Sequence, residues 1–170
     1  MNNDALELYS QEEIKTDIMR YKTNGISFWL CMLAIVADVL YFTKAFSPVM
    51  GNVSFDVGFV IAIDVILNIL FMLFTFLCAE KLKAYQLEWS YVALGMGIAQ
   101  IIRIFVVPFL KYEAVVNGET VMKLFVSGAD QIQCIIWLAL SALSLIGAAY
   151  IGYVKSKQLR AYLKEIEGGK

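Results

Sequence analysis

The sequence predicts an all-α integral membrane protein that folds as a four-helix transmembrane bundle. The chain of 170 residues is 60% hydrophobic, whereas soluble domains are roughly 45–50% apolar. The excess is collected in four apolar runs, each long enough for a spanning helix of about 20 residues. Continuous runs of this kind satisfy their backbone in lipid as helices. The runs are residues 26–46, 57–79, 90–110 and 131–154.

The polar segments on either side of these runs divide the chain into three parts. Residues 1–25 are predicted to be a cytoplasmic amphipathic segment, residues 26–154 the bundle, and residues 155–170 a cytoplasmic basic helical tail. In the first part, Ser10-Gln-Glu-Glu13 has the S-x-x-E pattern of a capping box. Apolar residues follow it at helical spacing, so we expect an amphipathic helix over residues 11–22.

The distribution of basic residues predicts that both termini are cytoplasmic, an N-in/C-in topology in the plasma (cytoplasmic) membrane. Apart from Arg103, the lysines and arginines divide into ten on one side of the membrane and three at or beyond the opposite ends of the spans, and cytoplasmic segments are the basic ones. The ten are Lys15, Arg20, Lys22, Lys81, Lys83, Lys155, Lys157, Arg160, Lys164 and Lys170, and the three are Lys44, Lys111 and Lys123. Tyr41 and Phe42 are then expected at the outer boundary, where aromatic residues are enriched.

The connection between the third and fourth spans carries a hairpin signal. Asn117-Gly118 lies between β-branched and other apolar residues, which is the strongest short-range indication of a β-hairpin. We expect a short outer β-hairpin over residues 113–124. A lone hairpin is marginally stable in water, so it should pack against the helix ends or a partner.

Three charged residues, Asp38, Asp64 and Arg103, lie inside the apolar runs. Charges at such depth are costly and mark functional or assembly sites. The helical rise of 1.5 Å per residue places all three about 10–12 Å below the outer boundary. Asn68 shares the face of Asp64, and Gln100 shares the face of Arg103. We therefore expect these five side chains to form one polar layer.

Three interpretations of this layer follow from its charges. In the first, Arg103 forms a structural ion pair with Asp64, or a triad that includes Asp38, because intramembrane charges commonly pair. In the second, the layer is a solute or cation site, since one arginine neutralises only one of two carboxylates. In the third, one of the aspartates faces another subunit.

Small residues in the third and fourth spans predict close helix packing. Small residues at spacings of about one helical turn allow two backbones to approach closely. The contact lies either within the bundle or at an oligomer interface. Phe71 and its neighbours in the second span are expected to contact only lipid. The packing residues are Gly95, Gly97, Ser144, Ala148 and Gly152.

The composition argues against an enzyme. Histidine is absent, which excludes His-ligated haem, zinc or copper sites and His general-base catalysis. The three cysteines are scattered with no C-x-x-C, so we expect neither a redox pair nor a metal site, and no cofactor. The net charge of −1 gives no indication of a nucleic-acid partner.

We therefore expect a non-enzymatic multi-pass membrane protein, a small subunit or accessory component of a homo- or hetero-oligomeric membrane complex. Its partners would be the lipid bilayer and other membrane subunits or further copies of itself. The alternative is a small proton- or cation-coupled transporter or channel that uses the layer of Asp38, Asp64 and Arg103.

Overall fold

The computed structural model describes residues 23–46, 55–107, 111–116, 119–124 and 128–168, which form four helices and one two-stranded sheet. The four apolar helices expected from the sequence are confirmed, since each contains a stretch long and apolar enough to cross a membrane. The helices are α1 Gly25–Phe46, α2 Phe55–Lys83, α3 Leu87–Val106 and α4 Ala129–Gly168, and the strands are β1 Lys111–Val116 and β2 Glu119–Leu124.

The segments outside the four apolar runs were also given predicted bounds. The helix predicted over residues 11–22 lies outside the described residues. Between α3 and α4, strands β1 and β2 pair antiparallel, from Lys111 opposite Leu124 to Val116 opposite Glu119. Helix α4 continues without a break from the fourth apolar run into the basic segment that was predicted as a separate tail.

The helices form an up-and-down bundle in which each is antiparallel to the next. Helices α1 and α4 run in opposite directions, because Gly147 faces Leu30 at one level and Asp130 lies 3.9 Å from Lys44 at another. Helix α4 packs along both α1 and α3, whereas α2 packs mainly against α1 and less extensively against α3. Helix α2 is thus the most peripheral of the four.

Two apolar clusters fill the bundle interior on either side of a polar level. Small side chains dominate the larger cluster, which allows the helices to approach closely without a hydrophobic driving force in lipid. The larger cluster consists of Cys31, Ala34, Cys78, Ala79, Leu82, Ala93, Leu145, Ala148 and Ala149. The smaller consists of Tyr41, Ala45, Val107, Cys134 and Leu138.

Asn24 caps the start of α1 and joins it to the end of α2. It is fully buried, its side-chain Oδ1 accepts from the backbone N–H of Ser27 over 3.5 Å, and its Nδ2 donates to Ser27 Oγ over 2.7 Å. Its backbone N–H donates to the carbonyl of Lys83 over 3.1 Å. This bond satisfies one of the carbonyls that a helix leaves unpaired at its C-terminus.

The small residues predicted to pack fall on two different faces. Ser144 and Ala148 are buried in α4, and Gly152 lies against Leu82 and Ser90. Gly97 is buried against α4, whereas Gly95 is exposed, with nothing within 4 Å of the position a Cβ would take. The two glycines differ because two residues turn a helix by about 200°.

Gly97→Ala and Gly95→Ala form a matched pair that tests this packing. A Cβ at residue 97 would lie 2.7 Å from Ile146 Cγ1 and 3.4 Å from the carbonyl oxygen of Ala142. We expect Gly97→Ala to lower the free energy of unfolding by about 1–3 kcal/mol through overpacking. Gly95→Ala should leave it unchanged or raise it by up to about 1 kcal/mol, the gain in helix propensity.

Denaturant-induced unfolding in detergent micelles measures both changes. Equal effects of the two substitutions would contradict the packing of Gly97 against α4.

Candidate functional site: a buried polar centre

The side chain of Gln100 connects three helices at the polar level. It is fully buried, and its Nε2 donates to Asp38 Oδ1 of α1 and, over 2.9 Å, to Ser141 Oγ of α4. Its Oε1 accepts from Arg103 Nη1 over 3.1 Å, one turn along α3. This amide orientation fits the charges, because the N–H groups face a carboxylate and the oxygen faces a guanidinium.

Arg103 is held by α2 and by two aromatic rings. Its Nη2 donates to Asn68 Oδ1 over 2.9 Å. Its guanidinium carbon lies 5.0 Å from the centroid of the Tyr41 ring and 5.6 Å from that of the Phe71 ring. A planar guanidinium is suited both to forked hydrogen bonding and to stacking on aromatic faces. Together, Gln100 and Arg103 contact all four helices.

The structure does not contain the ion pair expected between Arg103 and an aspartate. Among the side chains that the structure describes, the ion pair that forms is between Lys44 and Asp130. The guanidinium donates instead to the amide oxygens of Gln100 and Asn68, which the sequence places one turn deeper. Arg103 therefore acts on both Asp38 and Asp64 through longer-range electrostatics.

The two aspartates differ in their surroundings. Asp38 is fully buried and accepts a hydrogen bond from Gln100. Asp64 is partly exposed, although it lies on the inward stripe of α2 that continues through the buried Asn68 and Thr75. Arg103 and the Tyr41 hydroxyl act electrostatically on Asp64. The bundle thus encloses one carboxyl group completely and the other only in part.

Four buried polar atoms at this level have no hydrogen-bond partner of ordinary length: Asp38 Oδ2, Tyr41 Oη, Asp64 Oδ2 and Asn68 Nδ2. Such atoms are rare in folded proteins, and each carries a desolvation cost of about 1–3 kcal/mol. The centre also contains two carboxyl groups and a single guanidinium. If both carboxyl groups are ionised, it carries one uncompensated negative charge.

Three contributors to the centre were missed or misassigned from sequence. Tyr41 was expected at the outer boundary, yet it is fully buried and its ring lies against Arg103. Phe71 was expected to contact lipid, yet its ring also lies near the guanidinium of Arg103. Ser141 accepts a hydrogen bond from Gln100, and no sequence pattern indicated this contact. Helical spacing gave a usable signal, because Tyr41 is three residues from Asp38 and Phe71 is three from Asn68.

Gln100→Leu tests the central position of the amide. The substitution keeps a side chain of similar size but removes the donor that Gln100 presents to Asp38 and one acceptor of Arg103. We expect the free energy of unfolding to fall by about 2–4 kcal/mol, because both groups that lose a partner are charged and shielded from water. Ser144→Ala, a buried serine on the facing helix that makes no recorded contact with Gln100, is the control. A loss no larger than that of the control would contradict the bridging role.

Arg103→Lys separates the shape of the guanidinium from its charge. Lysine retains the positive charge but can neither donate in a fork to Asn68 and Gln100 nor present a planar group to the rings of Tyr41 and Phe71. We expect the free energy of unfolding to fall by about 1–2 kcal/mol. Arg103→Leu, which removes the charge as well, should cost more. Wild-type stability of the lysine variant in the same unfolding assay would show that charge alone suffices.

Comparison of the chain with protein families, with curated proteins and with solved structures finds no match.

Proposed function

We propose that the chain is a non-enzymatic multi-pass membrane protein that serves as a small subunit or accessory component of a membrane complex. The observation that carries this proposal is the incomplete enclosure of Asp64. Its carboxyl group lies on the inward stripe of α2 and is still partly exposed. An intramembrane carboxylate in a finished assembly is normally covered and balanced. A neighbouring subunit seated along α2 and α3 would supply that cover.

The use of the other polar groups supports a structural role. Gln100 and Arg103 are engaged with Asp38, Asn68 and Ser141 inside the bundle, so they fix the relative rotation of the helices. Networks of this kind specify one packing arrangement. This is the property required of a subunit that presents a constant surface to its neighbours.

The proposal includes a location and a topology. The protein would lie in the plasma (cytoplasmic) membrane with both termini cytoplasmic, supported by the ten basic residues on one side against three on the other. Residues 1–25 and 155–170 would then be cytoplasmic, and strands β1 and β2 would lie outside. The large apolar side chains exposed on α2 suit contact with lipid or with another membrane subunit. They are Ile63, Ile66, Leu67, Ile69, Leu70, Leu73, Phe74, Phe76 and Leu77.

A second candidate function, proton- or cation-coupled transport, is favoured by a different observation. The unpartnered oxygens of Asp38, Asp64 and Tyr41 belong to a centre with more carboxyl groups than guanidinium groups. Intramembrane carboxylates of this kind occur on ion and proton pathways. Four helices of this length hardly enclose a pathway alone, so this function would also require an assembly of several copies.

The mass of the native protein, extracted from the membrane in which it is expressed, tests the subunit proposal. The protein, extracted in mild detergent, should run as a complex whose mass exceeds that of one 19.1 kDa chain, measured by light scattering with the detergent contribution subtracted. Asp64→Asn should weaken this complex, and Asp130→Asn, at the end of the bundle, should not. A monomeric particle in both detergent and lipid nanodiscs would contradict the proposal.

Flux measurements decide between the two candidates. Purified protein in liposomes should show no cation or proton flux above that of empty liposomes if it is an accessory subunit. A flux that is lost in Asp38→Asn or Asp64→Asn, with the protein still folded, would replace the subunit proposal with the transport one.

A further inference from the structure

We infer that Asp64, together with the hydroxyl of Tyr41, forms an open position that takes one monovalent cation, either a proton or an alkali-metal ion. The inference goes beyond a subunit role, because the position lies inside a single copy of the chain. It concerns binding at one site and requires no transport.

The charges of the centre require one further positive charge. Asp38 and Asp64 provide two carboxyl groups, and Arg103 provides one guanidinium. A net negative charge in a low-dielectric interior is costly unless it is balanced. Within the described part of the chain, the recorded ion pair of Lys44 is with Asp130, so Lys44 does not supply the missing charge.

Arg103 is not free to move to Asp64. Its two terminal nitrogens donate to Gln100 and Asn68, and its guanidinium carbon lies near the rings of both Tyr41 and Phe71. Turning it toward Asp64 would leave two buried amide oxygens without donors. The guanidinium is therefore a fixed charge, and within the described part of the chain no second cationic side chain is paired with Asp64 to supply the further positive charge.

Asp64 is where this charge can enter. Asp38 is fully enclosed and has Gln100 as a donor, whereas Asp64 is partly exposed and has no donor of ordinary hydrogen-bond length. Helix α2 packs less extensively against α3 than α4 packs against either α1 or α3. Access to Asp64 therefore requires no opening of the tightly packed interface between α3 and α4.

Tyr41 provides the second, independent observation. Its side chain is fully buried, and its Oη has no hydrogen-bond partner of ordinary length. Asp64 is the carboxyl group that acts on it, and the two groups interact across more than an ordinary hydrogen-bond length, which leaves room for a shared cation. A phenolic oxygen beside a carboxylate oxygen is a suitable pair of ligands for a hard monovalent cation. With a proton instead, the protonated carboxyl group and the phenol can donate to and accept from one another.

The charged and titratable groups around the position are known from each packed element. Helix α1 contributes Tyr41, and α3 contributes Arg103. Arg103 also acts on Asp38 of α1. Helix α4 contributes Cys134, which acts on Tyr41. Of these groups, Asp64 alone is a partly exposed carboxyl group, so a response to cations or protons should depend on it.

Cation binding by purified wild-type protein is the direct test. Titration calorimetry in detergent at constant ionic strength, with Na⁺, Li⁺ or K⁺ replacing choline, should give a saturable signal with one site per chain if an alkali-metal ion is bound. If a proton is bound, these cations should give no signal, and the midpoint of thermal unfolding should fall as pH rises through the range in which the proton is lost. Absence of both responses in the wild type would overturn the inference.

Three variants assign the response to residues. Asp64→Asn should abolish the response to cations or pH, because the amide removes the uncompensated charge. Asp130 is also an aspartate but lies at the end of the bundle, so Asp130→Asn should retain the response. Tyr41→Phe keeps the ring against Arg103 but removes the hydroxyl, and should raise the half-saturating cation concentration about tenfold, the loss of one hydrogen-bond-sized contact. A wild-type response in Asp64→Asn would overturn the assignment.

The outcome is separable from that of the proposed function. A particle that is oligomeric but shows no cation or pH response leaves the subunit role standing and overturns this inference. A monomer that binds one cation at Asp64 supports this inference and contradicts the subunit role. A zero-length carboxyl–amine cross-linker provides a further check. If it joins Asp64 to a lysine of a co-purified membrane partner, the missing charge comes from that partner, and the inference is wrong.

Discussion

The amide of Gln100 is the group on which the arrangement of the four helices depends. It donates toward Asp38 and Ser141 and accepts from Arg103, so it meets a negative and a positive group at its two ends. In lipid, helices gain little from burying apolar surface against one another. A polar bridge that is satisfied in one relative rotation therefore has more influence on packing here than in a soluble bundle. The two apolar clusters lie on either side of that bridge.

The sequence predicted the helices and the level of the polar groups, but not their partners. Apolar runs of spanning length define helices because the bilayer allows few alternatives, and helical rise gives depth directly. The contacts of Arg103 depend on how each helix is rotated about its axis, which apolar runs leave open. Charge alone suggested Asp64 as its partner, whereas Gln100 and Asn68 reach it in the structure. Tyr41 and Phe71 were misassigned for the same reason, since an aromatic ring near a membrane boundary can face either lipid or the bundle.

The contrast between Asp38 and Asp64 shapes both functional proposals. One carboxyl group is enclosed and has a donor, and the other is partly open and has none of ordinary length. The enclosed group belongs to the permanent framework of the bundle. The open group is the place at which something outside this framework, whether a neighbouring protein or a small cation, can alter the free energy of the whole bundle. The small-residue contact between α3 and α4, which includes Gly97, makes that side of the bundle more closely packed than the contact between α2 and α3.

The order of the helices along the chain has a consequence for biogenesis. Asp38 and Asp64 are carried by α1 and α2, while Gln100 and Arg103 are carried by α3 and Ser141 by α4. A ribosome therefore delivers both acidic helices before any of the groups that balance them. A nascent chain that ends after α2 has two intramembrane carboxyl groups and lacks the guanidinium of Arg103, which is a costly state in lipid. The charges of the first two helices should thus be balanced only when α3 enters, so that the first three helices pack as one unit, to which α4 is added last.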